Sequence, residues 1–241
     1  MVKKEEIEGI SVLTLERPPL NPLTVEDLKQ IRDHLASSGG PVVIRGSGKA
    51  FCAGADVKQF LQMTPERAYE FAQAGHDTVR AIMEHPDPVI ASIHGYALGG
   101  GLELALACDL RIAAPGTLLG LPEVTLGIIP GFGGTQRLRE VLGEARALEM
   151  VLFGKRIGAE EARQLGLVNE LSDDPFSRSL ELARQLLQLP RSSLCRAKEL
   201  VRWRNSDMYE REMELFASCF EGPEPREGVN AFLEKRKPKF R

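Results

Sequence analysis

Residues 90–109, IASIHGYALGGGLELALACD, decide how the rest of the chain is organised. A short apolar segment opened by Pro88 and carrying Val89, Ile90, Ala91 and Ile93 ends at Gly95. At that length it suits a buried strand better than a helix. The glycine triplet Gly99, Gly100 and Gly101 follows, and from Leu102 the spacing Leu102, Ala105, Leu106, Asp109 is helical. Leu104, Ala107 and Cys108 are apolar too, so the helix is expected to be buried nearly all round. The stretch reads as strand, tight turn, helix. Glu103 does not fit that setting, because an ionised carboxylate in the first turn of a buried helix is costly unless something pairs with it.

The three glycines leave the helix N-terminus bare, so backbone N–H groups can approach a ligand and act as donors for an anion. Glu103 lies three residues beyond Gly100, hence on the same face and about one turn along. The pattern sets a carboxylate beside an anion site. Taken singly, the glycines are also compatible with close helix packing, and Glu103 with a buried acid paired to Arg or Lys.

At 241 residues, 43% apolar and 27% charged, the chain has the composition of a soluble globular protein of one domain, or one domain with an appendage. A net charge of −3 with mixed signs offers no basic field, so nucleic acid is not the expected partner. The opening MVKKEEIEG lacks the apolar core of a signal peptide, and no run reaches the roughly 18 apolar residues of a membrane helix. A cytoplasmic protein with no membrane partner is expected. Cys52, Cys108, Cys195 and Cys219 show no paired metal spacing, so neither a metal site nor a disulfide is expected. Cys52 has no local His partner and reads as a small core residue; the four histidines have no assigned role. With no GxxxxGK[ST] and no GxGxxG opening a helix, nucleotide cofactors are not expected.

Along the chain, residues 7–15 have strand composition, and the proline-rich RPPLNPL that follows cannot be helical. Thr24 is placed to cap a short helix with Val25, Leu28, Ile31 and Leu35 on one stripe. Residues 41–45, PVVIR, form a second short strand leading into GSGKAFCAGAD, which repeats the theme of residues 88–101; TLLGLPEVTLGIIPGFGG is a looser third version. Recurring strand and turn units predict a coil of stacked turns, each offering a backbone loop to one groove. An amphipathic helix is expected over residues 65–83, three helices between 135 and 168, and four more over 174–189, 193–205, 207–220 and 225–235.

Four pieces, KAFCAGAD (49–56), PVIASIHGYALGGGLELALACD (88–109), LPEVTLGIIPGFGGTQRL (121–138) and REGVNAFLEKRKPKF (226–240), taken in this order, resemble the crotonase, or enoyl-CoA hydratase/isomerase, superfamily over nearly the full length. The resemblance implies an α/β fold: a ββα superhelical spiral core with the acyl-CoA site over residues 1–190, then a C-terminal helical region, 191–241, used in trimerisation. It implies a homo-oligomer, a hexamer built as a dimer of trimers, and an acyl-CoA thioester substrate. Coenzyme A is then part of the substrate and no separate cofactor is needed. By motif position the oxyanion-hole N–H groups belong to Ala55 and Gly100, and the two hydratase glutamates to Glu103 and Glu123. Ala53, Asp56, Lys58, Gly131 and Lys235 are the further substrate-binding positions, the two lysines as contacts to the CoA phosphates.

Two N–H donors at the thioester oxygen stabilise the charge that moves there as water adds to Cβ, each contributing about 3 kcal/mol. One carboxyl then takes a proton from water and the other delivers one to Cα. An isomerase commonly manages with a single acid at the Glu123 position, so two acids favour reversible syn addition of water to a 2-trans-enoyl-CoA. The compact PPLNPL turn resembles that of some isomerases, which keeps enoyl-CoA isomerisation as the alternative; a non-catalytic binding homologue is a third reading, against which both acids and the acidic net charge argue.

Overall fold

The strand expected over residues 7–15 begins at Ile10 and is the second arm of a hairpin whose first arm was not expected. The computed structural model describes residues 1–202, 227, 234–237 and 239, with the side chains of residues 58, 61 and 62 left aside. In it β1 (Val2–Ile7) pairs antiparallel with β2 (Ile10–Leu15). Glu8 and Gly9 turn the chain with φ of 53° and 80°, a two-residue loop whose twist suits a hairpin. β1 carries the sequence VKKEEI, in which only Val2 is buried, so it left no apolar signal; its charges blunt a sheet edge.

From β2 onward each unit sends one strand into a long parallel sheet, a shorter extended piece into a second wall, and then a helix or helical turn. β2 leads through Leu23 to α1 (Val25–Ala36), where Thr24 and Asp27 form a reciprocal capping box. β3 (Val42–Gly46) leads through residues 52–55 and a 3₁₀ turn (Val57–Gln62) to α2 (Pro65–Glu84). β4 (Val89–Ile93) leads through β5 (Tyr96–Leu98) to α3 (Gly100–Ala107). β6 (Leu110–Ala113) leads through β7 (Leu118–Gly120) to a 3₁₀ turn (Glu123–Leu126). The remaining elements are α4 (Gly134–Leu142), α5 (Glu144–Leu152), β8 (Arg156–Gly158), α6 (Ala159–Gln164), β9 (Glu170–Leu171), α7 (Pro175–Leu187) and α8 (Arg191–Arg202).

The first sheet has the order β1-β2-β3-β4-β6-β9, parallel from β2 onward. The second has the order β5-β7-β8, and the single bridges Cys52 to Ala97 and Leu23 to Ala55 carry it back into the earlier units. This is the ββα spiral. Strand alternation explains its two apolar layers. Val12, Val43, Ile90 and Ile112 face outward onto Leu180 and Ala183 of α7, while Leu13, Ile44, Ala91 and Ala113 face the main core.

Three further expectations need correction. Between the strand and the helix of residues 90–109 lies not a simple turn but a further strand, β5. The chain bends at Gly95, where any Cβ would meet Lys49 O at 2.0 Å. Asp109 is not part of the helix, which ends at Ala107; its carboxylate accepts the Val89 N–H at 2.7 Å and pairs with Lys198 and Arg202 of α8. The helix expected over 193–205 starts earlier, at Arg191, and is described to Arg202; those expected over 207–220 and 225–235 lie outside the described residues, apart from Glu227, Glu234 and Lys235. The division at 190/191 falls in the link between α7 and α8. Among the described residues no helix is long and apolar enough to cross a membrane.

Candidate active site

Turns from successive units of the spiral meet at a cavity of about 840 Å³. The turn at 53–55 and the start of α3 are packed backbone against backbone: a Cβ at Gly101 would stand 2.2 Å from Cys52 O, and one at Gly54 3.2 Å from Leu98 O. Only glycine permits that approach. The bridge to Leu23 uses Gly54 O and Asp56 N, at 2.9 and 3.1 Å, which leaves the Ala55 N–H turned to the other side. Gly100 opens α3, so its N–H has no acceptor within the helix. Among the described residues neither N–H has an acceptor, and both residues line the cavity.

Glu103, one turn into α3, is 1% exposed. Its partner is neither Arg nor Lys but backbone: Oε1 accepts the N–H of Phe132 at 2.8 Å and of Gly134 at 2.6 Å. Burial raises its carboxyl above the ordinary value, while the Gly134 and Phe132 N–H groups and the charge of Arg137 oppose the rise. Glu123 follows β7 at the start of a 3₁₀ turn and is 8% exposed. Neither of its carboxyl oxygens has a hydrogen-bond partner among the described residues. Burial first, and the Glu103 charge second, push its carboxyl up to about 7. Glu123 Oε1 lies against the Gly99 turn, 3.0 Å from where a Cβ on Gly99 would be. Two carboxyls with different hydrogen-bonding environments thus face one cavity whose other walls are mostly apolar, with Phe60, Phe71, Phe132, Ala68 and Ala72 among them.

Of the positions singled out in the sequence, Ala53, Ala55, Gly100, Glu103, Glu123 and Gly131 all line this cavity. Asp56 stands beside it, its N–H held by Leu23 O, and is not part of the wall. Lys58 lies in the 3₁₀ turn, its side chain outside the described residues, and Lys235 is exposed, with a φ of 52°, and does not line the cavity. Cys52 is buried core, its thiol pushed up to about 12 by burial. Sequence reasoning missed the donors to Glu103, since an N–H belongs to any residue. It also missed His76, on the cavity-facing side of α2, and Arg137, whose guanidinium bonds the Phe132 carbonyl.

A ββα spiral whose glycine turns converge beside two buried glutamates defines a protein of crotonase fold. The chain belongs to the enoyl-CoA hydratase/isomerase family, whose model matches residues 5–241. It is 39% identical over 249 residues to the crotonyl-CoA hydratase of Syntrophomonas wolfei, covering 98% of this chain and 96% of that protein. A Bacillus subtilis relative named "Probable enoyl-CoA hydratase" is 41% identical over 245 residues, 96% of this chain and 95% of its own. The solved enoyl-CoA hydratase of Bacillus anthracis superimposes with a TM-score of 0.93 at 34% identity, covering 99% of this chain and 98% of that one.

Proposed function

We propose that the chain is an enoyl-CoA hydratase that adds water reversibly to a 2-trans-enoyl-CoA, giving the 3-hydroxyacyl-CoA. The observation that carries this reading is the pair of unequal carboxyls, Glu103 and Glu123, on one cavity beside the free N–H groups of Ala55 and Gly100. The thioester oxygen sits between those two N–H groups. Water attacks Cβ as Glu103 takes one of its protons; the double-bond electrons move toward the thioester oxygen, where the N–H pair stabilises the enolate. The enolate then takes a proton at Cα from Glu123. Glu103 ends protonated and Glu123 ionised, and proton exchange with solvent restores the starting state.

The two environments support that division of labour. Two backbone donors favour the anion of Glu103, whereas among the described residues no other residue donates to the Glu123 carboxyl, which is pushed up to about 7. Charge is met by N–H groups and protons by carboxyls, so the reading calls for no metal and no cofactor beyond the CoA of the substrate. The assembly proposed for it is a hexamer, a dimer of trimers, in the cytoplasm; sedimentation gives the oligomeric mass directly.

The test is loss of the conjugated thioester absorbance of crotonyl-CoA. Wild type hydrates it, and Glu103→Gln and Glu123→Gln, both folded, lose on the order of 10²–10⁴-fold in kcat. A folded wild type that leaves crotonyl-CoA unchanged but moves the double bond of a 3-enoyl-CoA would replace the reading with isomerisation.

A further inference from the structure

Residues 131–134 close over Glu103, and a side chain outside the cavity wall is bonded to them. The Phe132 N–H and the Gly134 N–H point inward to Glu103 Oε1, while the Phe132 carbonyl points outward to Arg137 Nη2 at 2.5 Å. The same Nη2 lies 3.4 Å from the main-chain carbonyl of Glu103 itself, and the Arg137 N–H returns to Gly133 O at 3.2 Å. One guanidinium therefore ties the loop that donates to Glu103 to the helix that carries Glu103. α4 begins at Gly134 and has no side-chain cap, which leaves this side chain as a cross-tie between the loop and α3. The Phe132 ring is fixed independently between Gly75 and Gly100, where a Cβ would approach it to 1.9 and 2.9 Å.

We propose that Arg137 is a positioning residue for Glu103, holding the 132–133 peptide by its carbonyl so that the N–H groups of the two flanking peptides, those of Phe132 and Gly134, stay aimed at Glu103 Oε1. The clamped carbonyl fixes the rigid plane of the 132–133 peptide, which is joined at Phe132 Cα and Gly133 Cα to the two peptides that donate, so each donor keeps only the rotation about one flanking Cα. Arg137 acts through the loop and does not line the cavity. Its charge adds to the effect of the two N–H groups in favouring the Glu103 anion. The other titratable groups around Glu103 are Glu123 from the 3₁₀ turn, His76 from α2 and Cys52 beneath Gly101; β5 supplies no charged group. A planar fork can reach two carbonyls together, and a lysine ammonium reproduces the charge without that geometry.

The kinetic arm of the test rests on the hydratase reading, so a second arm needs no turnover. Protein labelled with carboxyl-¹³C glutamate is titrated by NMR, the Glu103 signal being assigned by its loss in Glu103→Gln. In Arg137→Met the Glu103 midpoint moves up from that of wild type, and in Arg137→Lys it returns toward it. With crotonyl-CoA, both variants lose kcat, the Met variant on the order of 10²-fold, as expected for misplacing a catalytic group by about an ångström. KM stays within a few-fold. A folded Arg137→Met variant with the wild-type midpoint and wild-type kcat would overturn the proposal. Should that variant fail to fold, the Lys variant decides: lowered kcat at unchanged KM supports the clamp, and wild-type kcat overturns it. If wild type itself does not hydrate crotonyl-CoA, the hydratase reading falls and the titration alone judges Arg137.

Discussion

Glu123 is the residue at which the proposed chemistry and the stability of the fold meet. Its folded carboxyl keeps a proton to about pH 7, against an ordinary value of 4.5, so the native state binds more protons than the unfolded chain between those limits. Stability contributed by that proton is complete below pH 4.5 and is lost as pH rises toward 7. The full penalty of the ionised form is about 3 kcal/mol. Glu123→Gln carries no such charge, so it is expected to gain on wild type by that amount between pH 4 and pH 8 in denaturant titrations. A pH-independent difference would show that Glu123 ionises freely in the fold. In turnover, the same proton predicts that kcat/KM for hydration of crotonyl-CoA falls on the basic side from near pH 7, a limb that reports the free enzyme. Glu103 was legible in the sequence as a charge out of place in an apolar helix. What satisfies it was not, because the Phe132 and Gly134 donors are main-chain groups 29 and 31 residues away whose direction is set by loop geometry.

At the scale of elements, α2 and the 131–134 loop are locked through one glycine. A Cβ on Gly75 would lie 1.9 Å from Phe132 Cδ1 and 2.4 Å from Cγ, near the root of the ring rather than at its flexible end. Gly75→Ala must therefore displace the ring and with it the peptide that donates to Glu103. It is expected to cost about 1–3 kcal/mol of stability, the usual range for overpacking, and to lower kcat as well. Thermal unfolding beside crotonyl-CoA turnover checks this; a variant with wild-type Tm and kcat would show that α2 yields instead. The helical spacing of residues 65–83 and the apolar runs at 41–45 and 88–93 made α2, β3 and β4 readable. β5, β8 and β9 were not, since strands of two or three residues have no periodicity to detect, and their place is decided by the neighbours they pair with.

In the whole molecule, the spiral ends where charge replaces apolar packing. α8 has no buried residue and is held to the core by ion pairs: Arg191 on Asp87, and Lys198 and Arg202 on Asp109. Burial pushes the Asp87 carboxyl up, but the Arg191 hydrogen bonds and charge and the Gly40 N–H outweigh it and hold the carboxyl below its ordinary range. Arg191 is half exposed, so the pair contributes about 1–2 kcal/mol rather than the larger figure of a fully buried one. Asp87→Asn is expected to speed amide hydrogen exchange across α8 while leaving α3 protected; unchanged exchange in α8 would show that other contacts dock it. The repeated strand and glycine-turn theme made the spiral as a whole readable, because each unit repeats the same local problem.

Hydration as proposed requires Glu123 to move the proton at Cα while Glu103 handles water. Exchange of the Cα protons of butyryl-CoA in D₂O isolates the first step, since a saturated thioester has no double bond to hydrate. Wild type and Glu103→Gln are expected to exchange those protons, and Glu123→Gln to lose the exchange while remaining folded. Exchange by Glu123→Gln at the wild-type rate would contradict the assignment of the two carboxyls.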